Sequence, residues 1–352
     1  MGQKEIQAIL SHFPVPDHPS GIKPLESGYI NRSYGIYYDG NPTFVLQQLN
    51  SSVFEDIAGL MTNLSLALPY LQRSDYSGPE LIPAKTGASY LKTLSGEYWR
   101  LMTFVPNSCS YFFCLSEQMA SEAGRILGIF HDLLHKARAE QFKPFLPDFH
   151  SLSKRLNQFD QALSGAASDR RQNAASAIEY AQSQRTRLLK KESEQLPLRV
   201  CHNDTKMSNI LFSNKNKKAL CLIDLDTIMP GYFHYDFGDA LRTIVNPAPE
   251  DERDLEKITF NRNYCEAFVS GLSQAAPELS SKEMKYLAHG AQLMPFLHGL
   301  RALTDYLRGD KYYRIAYPGQ NLDRSLALFR FASLAERESP FLKEVIRKYF
   351  SN

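Results

Sequence analysis

The chain has 352 residues, of which 43% are hydrophobic and 22% are charged, and its formal net charge is +2. This length exceeds one ordinary core and suits two domains, or one domain with a cap, and the composition is that of a folded protein. Nucleic-acid-binding proteins usually carry a larger and more clustered positive charge, so we expect no nucleic-acid partner.

The cysteines and the amino terminus bear on the compartment. Five cysteines without CxxC spacing favour neither a zinc site nor a disulfide framework. The polar start MGQKEIQAIL does not resemble a signal peptide, and no stretch is long and apolar enough to span a membrane. We therefore predict a cytoplasmic protein with free thiols and no membrane partner. The sequence leaves the oligomeric state open and is compatible with a monomer.

The first third of the chain predicts a small sheet that carries one helix. Apolar residues recur at helical spacing over 53–72. Strand-like runs bounded by turn residues lie before and after this helix. The predicted strands are 22–27, 33–39, 43–49, 89–94 and 98–105.

The composition changes after the short link at 105–108. We expect an amphipathic helix over 116–136, and two helices over 151–192 divided near Gly165. Three short strands follow in LRVCH, ILF and ALCLID, and from 236 onward the chain is almost wholly helical. The predicted class is α+β, with a small β-rich lobe at 1–105 and a larger, mostly helical lobe at 106–352. A cleft between two lobes is a favoured ligand site.

The segment HNDTKMSN at 202–209 concentrates polar groups between two apolar runs, and IDLD follows at 223–226. Phosphoryl transfer from ATP needs a carboxylate to accept the proton of the attacking hydroxyl, oxygen ligands for Mg²⁺, and a positive charge near the γ-phosphate. The pattern predicts these roles: base Asp204, cation Lys206, metal ligands Asn209 and Asp224, and second or outer metal ligand Asp226.

The His-x-Asp-x-Lys-x-x-Asn arrangement resembles the catalytic loop of the protein-kinase-like fold. The chain resembles the aminoglycoside phosphotransferase and choline kinase branch of that fold, in which the metal aspartate follows a strand as in CLIDLD. More narrowly, it resembles the N-acetylhexosamine 1-kinases over 44–64, 98–104, 202–212, 223–242 and 299–325. The resemblance implies a bilobal kinase that uses ATP and Mg²⁺. It also implies a small-molecule sugar acceptor, phosphorylated at the anomeric (C1) hydroxyl of an N-acetylhexosamine.

The nucleotide side departs from the familiar motifs, since neither GxGxxG nor GxxxxGK occurs. The hairpin over the phosphates would be 26–34, and Gln47 stands at the position of the family's phosphate-binding lysine. Arg32 is a candidate for the missing charge. The resemblance makes 102–105 the hinge whose backbone pairs with adenine. The predicted nucleotide-binding residues are Gly28, Asn31, Arg32, Gln47, Thr103 and Val105.

The DFG triplet at 236–238 looks like the metal-binding triplet of protein kinases, but it begins thirty-two residues after Asp204. We expect Asp236 to be structural and to cap the helix that starts there. Arg301 and Asp305 would share a helix face, either as a structural salt bridge or as sugar contacts. The resemblance points to His150, Arg301, Asp305, Tyr317 and Asn321 as the candidate acceptor residues.

Two alternatives remain open at this stage. The first is a kinase for another acceptor, such as a different sugar, an amino alcohol or an aminoglycoside. Cationic acceptors usually need an acidic pocket, and the acids after residue 250 are mixed with Lys and Arg. The second is a pseudokinase that binds nucleotide without turnover, which Gln47 alone favours.

Overall fold

The computed structural model describes residues 2–25, 30–192 and 196–350. The chain is α+β and bilobal, with a small β-rich amino-terminal lobe and a larger, mostly helical carboxy-terminal lobe, as predicted. Within the described ranges, no helix combines the length and the apolar character needed to cross a membrane.

The small lobe is an antiparallel sheet with one helix on its outer face and another beside it. The elements are α1 Gln3–Leu10, β1 Gly21–Leu25, β2 Arg32–Tyr38, β3 Asn41–Leu49, α2 Ile57–Ala67, β4 Gln72–Arg73, β5 Tyr76–Ser77, β6 Leu81–Ile82, β7 Leu91–Lys92 and β8 Tyr98–Thr103. The sheet order is β1-β2-β3-β8-β6, and β7 pairs with the edge of β8.

Two predictions for this lobe change most in their bounds, and the predicted strand 22–27 and hairpin 26–34 extend into residues 26–29, which lie outside the described ranges. The helix predicted over 53–72 begins only at Ile57, because Asp56 accepts a hydrogen bond from the Gly59 N–H and caps its first turn. The strand predicted over 89–94 is reduced to the two residues of β7. The core between α1 and the sheet consists of Ile6, Leu10, Phe13, Ile36, Leu46, Ala84, Trp99 and Leu101.

The large lobe surrounds a few short strands with helices. Its elements are β9 Ser108–Cys109, α3 Glu117–Leu134, α4 Leu152–Gly165, α5 Ser168–Asn173, α6 Ala175–Glu192, β10 Arg199–Cys201, β11 Ile210–Ser213, β12 Ala219–Leu222, β13 Met229–Gly231, α7 Phe233–Ile244, α8 Arg262–Ser273, α9 Ser281–Leu307, α10 Gln320–Arg337 and α11 Ser339–Phe350. The stretch 151–192 thus forms three helices where two were expected.

Short strand pairs hold the polar loop at 202–209 at the floor of the cleft. Strand β10 leads into the loop and pairs with β13, while β11 leaves it and forms an antiparallel hairpin with β12. The basic run NKNKK at 214–218 is exposed and lies in the connection between these two strands. The 202–209 loop and the 223–228 segment, which follows β12, therefore lie side by side.

Helix α2 is joined to the large lobe by a buried asparagine. Asn63 is fully buried, and its Nδ2 donates to the carbonyl oxygens of Lys143 and Ile228 at 2.8 and 2.9 Å. Its Oδ1 accepts the Lys143 N–H at 2.8 Å. The apolar residues of α2 also belong to the main core of the large lobe. This contact fixes one wall of the cleft relative to the other.

Candidate active site

The cleft between the lobes encloses a cavity of about 840 Å³. Residues of both lobes line it, as expected for a ligand site in a bilobal protein. The lining includes these residues that the sequence singled out: Asn31, Gln47, Thr103, Val105, Asp204, Lys206, Asn209, Asp224, Asp226 and Arg301. The structure thus brings the candidate base, cation and metal ligands into one cavity.

The carboxylate of Asp204 is held by two side chains of its own loop. Lys206 Nζ donates to Asp204 Oδ2 at 2.7 Å, and Asn209 Nδ2 donates to the same oxygen at 2.9 Å. Burial acts to raise the pKa of Asp204, but attraction by the Lys206 ammonium leads the effects that bring the pKa below its usual value. Asp204 is therefore ionised at neutral pH. Because the amide nitrogen of Asn209 donates to Asp204, its amide oxygen remains available to bind a metal ion.

Asp236 fixes the backbone at the start of the 202–209 loop. Its carboxylate accepts the N–H groups of His202 at 2.8 Å and Asn203 at 2.7 Å. Helix α7 begins at Phe233, so the expectation that Asp236 caps a helix starting at 236 is wrong. The residue is structural, as predicted, but it holds the loop rather than the helix end.

Asn203 adopts the left-handed conformation, with φ of 64°. Its Nδ2 donates to the carbonyl oxygens of Cys201 and Thr227 at 3.1 and 3.0 Å, which stabilises this uncommon backbone shape. His150 Nε2 lies 3.1 Å from the Asn203 carbonyl oxygen. Burial lowers the pKa of His150 to about 3, so the ring is neutral and its Nε2–H donates to that carbonyl. His150 thus supports the loop from behind and lines a separate cavity of about 270 Å³.

Asp224 and Asp226 follow strand β12 and face the cleft. Although solvent reaches Asp224 from the cleft, the surrounding walls remove enough water to raise its pKa to about 6, and repulsion from Asp226 adds to the effect. Asp226 is 2% exposed and contacts Asn31 Nδ2 and the guanidinium of Arg100. Asn209, Asp224 and Asp226 line the same cavity, and their amide and carboxylate oxygens are the hard donors that Mg²⁺ prefers, so these residues can hold that ion.

Gln47 belongs to a hydrogen-bonded row across strands β2, β3 and β8. Its Nε2 donates to Ser33 Oγ at 3.0 Å, and its Oε1 accepts from Arg100 Nε at 2.9 Å. Arg32 precedes Ser33 on β2, but its side chain is exposed and, by strand alternation, points to the opposite face of the sheet. Gly28 lies outside the described residues.

Strand β8 ends at the junction of the lobes, where the hinge was predicted. The N–H groups of Thr103 and Phe104 are used within the protein, donating to the carbonyl oxygens of Glu80 and Thr43 at 2.9 and 2.8 Å. Val105 follows and is mostly buried in the cleft wall. The predicted hinge thus lies against the cavity, with part of its backbone already bonded.

The acceptor residues predicted from α9 and the following loop have different surroundings. Asp305 forms no ion pair with Arg301. Its carboxylate accepts the N–H groups of Tyr312 and Tyr313 at 2.8 and 2.9 Å, and Asn321 Nδ2 donates to it at 2.9 Å. Asp305 and Asn321 are both buried, and neither belongs to the cleft lining. They shape the loop after α9.

Arg301 lines the cavity that contains Asp204, whereas Tyr317 does not. Arg301 lines the cleft, with its guanidinium 5.1 Å from the ring centre of Phe149. Tyr317 lies under the guanidinium of Arg253 at 4.3 Å, outside the cleft lining. Of the five predicted acceptor residues, only Arg301 is part of the cavity that contains Asp204.

A family model described as the phosphotransferase enzyme family matches residues 21–276. The chain belongs to this family. The matched region includes the 202–209 loop, Asp224 and Asp226. The protein is therefore a small-molecule phosphotransferase, which confirms the predicted class of enzyme.

Solved kinase structures share the fold of this phosphotransferase. A microcompartment-associated aminopropanol kinase matches 97% of this chain and 99% of its own, with a TM-score of 0.66 and 18% identity. An amicoumacin kinase in complex with AMP-PNP and Ca²⁺ matches 96% and 94%, with a TM-score of 0.63 and 14% identity. A spectinomycin phosphotransferase in complex with ADP matches 96% and 99%, with a TM-score of 0.62 and 12% identity. Such identities establish the shared fold, not the acceptor.

The phosphotransferase also contains a charged network that the sequence reasoning missed. Asp239 Oδ1 accepts from Arg242 Nε at 2.8 Å and lies 3.0 Å from His298 Nε2. Arg242 also contacts Glu250, and despite burial this keeps the pKa of Glu250 at about 2. Arg242, Glu250 and His298 line the cleft. The i,i+3 spacing of Asp239 and Arg242 was a readable signal, whereas the contacts to Glu250 and His298 depend on the tertiary fold.

Proposed function

We propose that this phosphotransferase transfers the γ-phosphoryl group of ATP, with Mg²⁺, to the anomeric (C1) hydroxyl of an N-acetylhexosamine. The observation that carries the proposal is the ionised Asp204, held by Lys206 and Asn209 in the cavity that also contains Asp224. The narrower resemblance to N-acetylhexosamine 1-kinases supports the choice of acceptor.

In the proposed reaction Asp204 orients the acceptor hydroxyl and accepts its proton. An anomeric hydroxyl is somewhat more acidic than an ordinary alcohol, so a carboxylate whose pKa is lowered by Lys206 can serve as its base. Lys206 balances the charge of Asp204 and adds a positive charge near the transferred group. Asn209 and Asp224, with Asp226, would hold the magnesium ion, which neutralises phosphate charge when bound.

In the proposed reaction the two lobes have different roles. The small lobe, 1–105, would bind the nucleotide through Asn31, Gln47, Thr103 and Val105, and the large lobe, 106–352, would supply the base and the acceptor pocket. In the wall of the large lobe, the charges of Asp239, Arg242 and Glu250 are paired with one another.

The positive charge of Arg301 in the large-lobe wall of the cavity favours an uncharged acceptor. Arg301 lines the cavity and is close enough to Asp204 for their charges to interact. Among the described residues Arg301 has no carboxylate partner within ion-pair distance. An ammonium group entering here would meet a positive charge, whereas a sugar hydroxyl or an acetamido oxygen could accept a hydrogen bond from it.

The test is an acceptor panel with ATP and Mg²⁺, in which N-acetylglucosamine and N-acetylgalactosamine are compared with other sugars, amino alcohols and aminoglycosides. NMR of the product would locate the phosphate. We expect Asp204→Asn to lower kcat by about 10²–10⁴-fold. Asp160→Asn is the matched control, since Asp160 pairs with Arg185 on the surface. Robust turnover by Asp204→Asn would exclude Asp204 as the base.

Another acceptor is the alternative that a specific observation favours. The similar structures include an aminopropanol kinase and a spectinomycin phosphotransferase. If the panel shows turnover of amino alcohols or aminoglycosides but not of N-acetylhexosamines, the phosphotransferase assignment stands and the sugar assignment fails.

A further inference from the structure

Arg100 is the positive charge that the small lobe presents to the cleft. It is 3% exposed and lines the cavity, and no other lysine or arginine of the described small lobe does so. Lys23 instead stacks on Tyr37 at 4.8 Å, and Arg32 is exposed on the opposite face of its strand. Arg100 is therefore the one described cation of this lobe that can meet a ligand in the cleft.

Strand register explains how Arg100 is positioned. Gln47 on β3 lies directly opposite Arg100 on β8 and directly opposite Ser33 on β2, so the three side chains share the cleft face. Gln47 Oε1 accepts from Arg100 Nε at 2.9 Å, and Gln47 Nε2 donates to Ser33 at 3.0 Å. Gln47 thus orients the guanidinium, whereas a lysine at 47 would place a second positive charge beside it.

The counter-ion of Arg100 also differs from the usual kinase arrangement. In protein kinases the phosphate-binding lysine pairs with a glutamate of the neighbouring helix. Helix α2 has the sequence IAGLMTNLSLA, which contains no acidic residue. The guanidinium instead contacts Asp226, which lies two residues after Asp224. The cation is therefore coupled to the candidate metal site.

We propose that Arg100 binds the α- and β-phosphates of the nucleotide, so that the phosphate-binding cation stands on strand β8 instead of on β3. The guanidinium is always charged and carries five donors, of which the contacts with Gln47 and Asp226 use only part. Its planar donor geometry suits phosphate oxygens. This inference rests on the proposed use of ATP and answers the question raised by Gln47.

Binding of ADP and adenosine tests the proposal without turnover. Both ligands share the base and ribose, but only ADP has phosphates. Calorimetry in metal-free buffer with EDTA should show that Arg100→Gln weakens ADP roughly ten- to hundredfold while adenosine affinity is unchanged. Lys92→Gln, which removes an exposed cation from the same sheet, should leave both affinities unchanged. An unchanged ratio of ADP to adenosine affinity in Arg100→Gln would overturn the proposal. It would also be overturned if Arg32→Gln, and not Arg100→Gln, lost ADP affinity.

Arg100→Gln leaves the buried Asp226 without its cation, which can impair folding by itself. A second pair of variants avoids this problem. Asp226→Asn and the double variant Asp226→Asn/Arg100→Gln differ only in Arg100, and neither leaves a buried carboxylate at 226. Without metal, Asp226→Asn should bind ADP more tightly than the wild type, since an anion is removed. The double variant should lose at least tenfold relative to Asp226→Asn. Equal ADP affinities in these two variants would contradict the proposal.

Returning the charge to strand β3 gives the complementary experiment. Arg100→Gln/Gln47→Lys places a lysine at the facing position, and it should recover part of the ADP affinity lost in Arg100→Gln. If the double variant recovers none of the ADP affinity, the inference that side chains at positions 47 and 100 reach the same phosphate groups is contradicted.

Binding by the wild type separates this inference from the proposed function. If it binds neither ADP nor adenosine, ATP use itself fails. If it binds both and Arg100 has no effect, only the role of Arg100 fails.

Discussion

At the scale of single residues, Asp224 illustrates how the cleft alters an ordinary carboxyl group. Its pKa is raised to about 6 by the walls of the cleft and then by Asp226, while Lys206 opposes the shift. A raised pKa means that the folded protein holds this proton at pH values where a free aspartate has lost it. A metal ligand must be deprotonated, so protons and the metal compete for Asp224.

The first prediction concerns this competition. Mn²⁺ used as a paramagnetic probe should bind the apoprotein with constant affinity above about pH 7 and progressively more weakly as the pH falls through 6. In Asp226→Asn the repulsion is gone, so the midpoint of the pH dependence should move to lower pH even if the site binds more weakly. Titrations followed by electron paramagnetic resonance would measure both. An affinity that is constant from pH 7.5 to 5 would remove Asp224 from the metal site.

Contacts between site residues could be predicted from the sequence where the partners lie close together along the chain. Asp204, Lys206 and Asn209 lie within six residues, and the structure joins them through one carboxylate oxygen. Arg100 was not singled out from the sequence, because its contact with Gln47 depends on the strand register that places the two residues opposite each other. Asp305 was a candidate acceptor residue through the family resemblance, and its i,i+4 spacing also suggested a salt bridge with Arg301, yet backbone N–H groups of the next loop bind it.

At the scale of elements, the crossing of α7 and α9 supports the 202–209 loop. Gly238 of α7 packs against Gly290 of α9, and a Cβ atom added to Gly238 would overlap the Gly290 backbone oxygen. Helix α7 carries Asp236, which binds the loop, and Asp239, which binds Arg242. The distance between the two helices therefore determines where these carboxylates lie.

The second prediction follows from this close approach. Gly238→Ala should lower the free energy of unfolding by about 1–3 kcal/mol, because the helices must separate to fit the methyl group. Turnover should fall with it, since α7 positions the loop. Gly165→Ala is the control: no atom lies within 4 Å of its added Cβ, and alanine favours helix, so stability should be unchanged or slightly higher. Urea titration would compare them, and equal losses would refute the packing argument.

Element types were easier to predict than element ends. Hydrophobic spacing predicted α3 over 116–136, and the helix spans Glu117–Leu134. The start of α7 was placed at 236 instead of Phe233, because Asp236 was interpreted as a local cap. Its partners, the N–H groups of His202 and Asn203, lie more than thirty residues away, and local pattern carries no information about such contacts.

At the scale of the whole molecule, a small β-rich lobe followed by a larger helical lobe was predictable from the order of strand-like and helical stretches, but the packing of the two lobes was not. Helix α2 precedes the link in sequence, yet its apolar side chains belong to the large core and Asn63 bonds to Ile228. The sheet has its own core against α1, which includes Trp99. The small lobe therefore has one part joined to the large lobe and one part that depends on a small core.

The single tryptophan makes this difference measurable. Trp99 is fully buried in the small core, whereas most helical residues lie in the large lobe. Small cores are less stable, and regions of one protein can open at different free energies. We expect the tryptophan fluorescence to change at lower urea concentration than the far-ultraviolet circular dichroism. ADP with Mg²⁺ should bring the two midpoints together, because a ligand that binds between the lobes of the folded protein stabilises both walls of the cleft. Coincident midpoints without ligand would mean that Asn63 and the α2 packing already join the lobes into one cooperative unit.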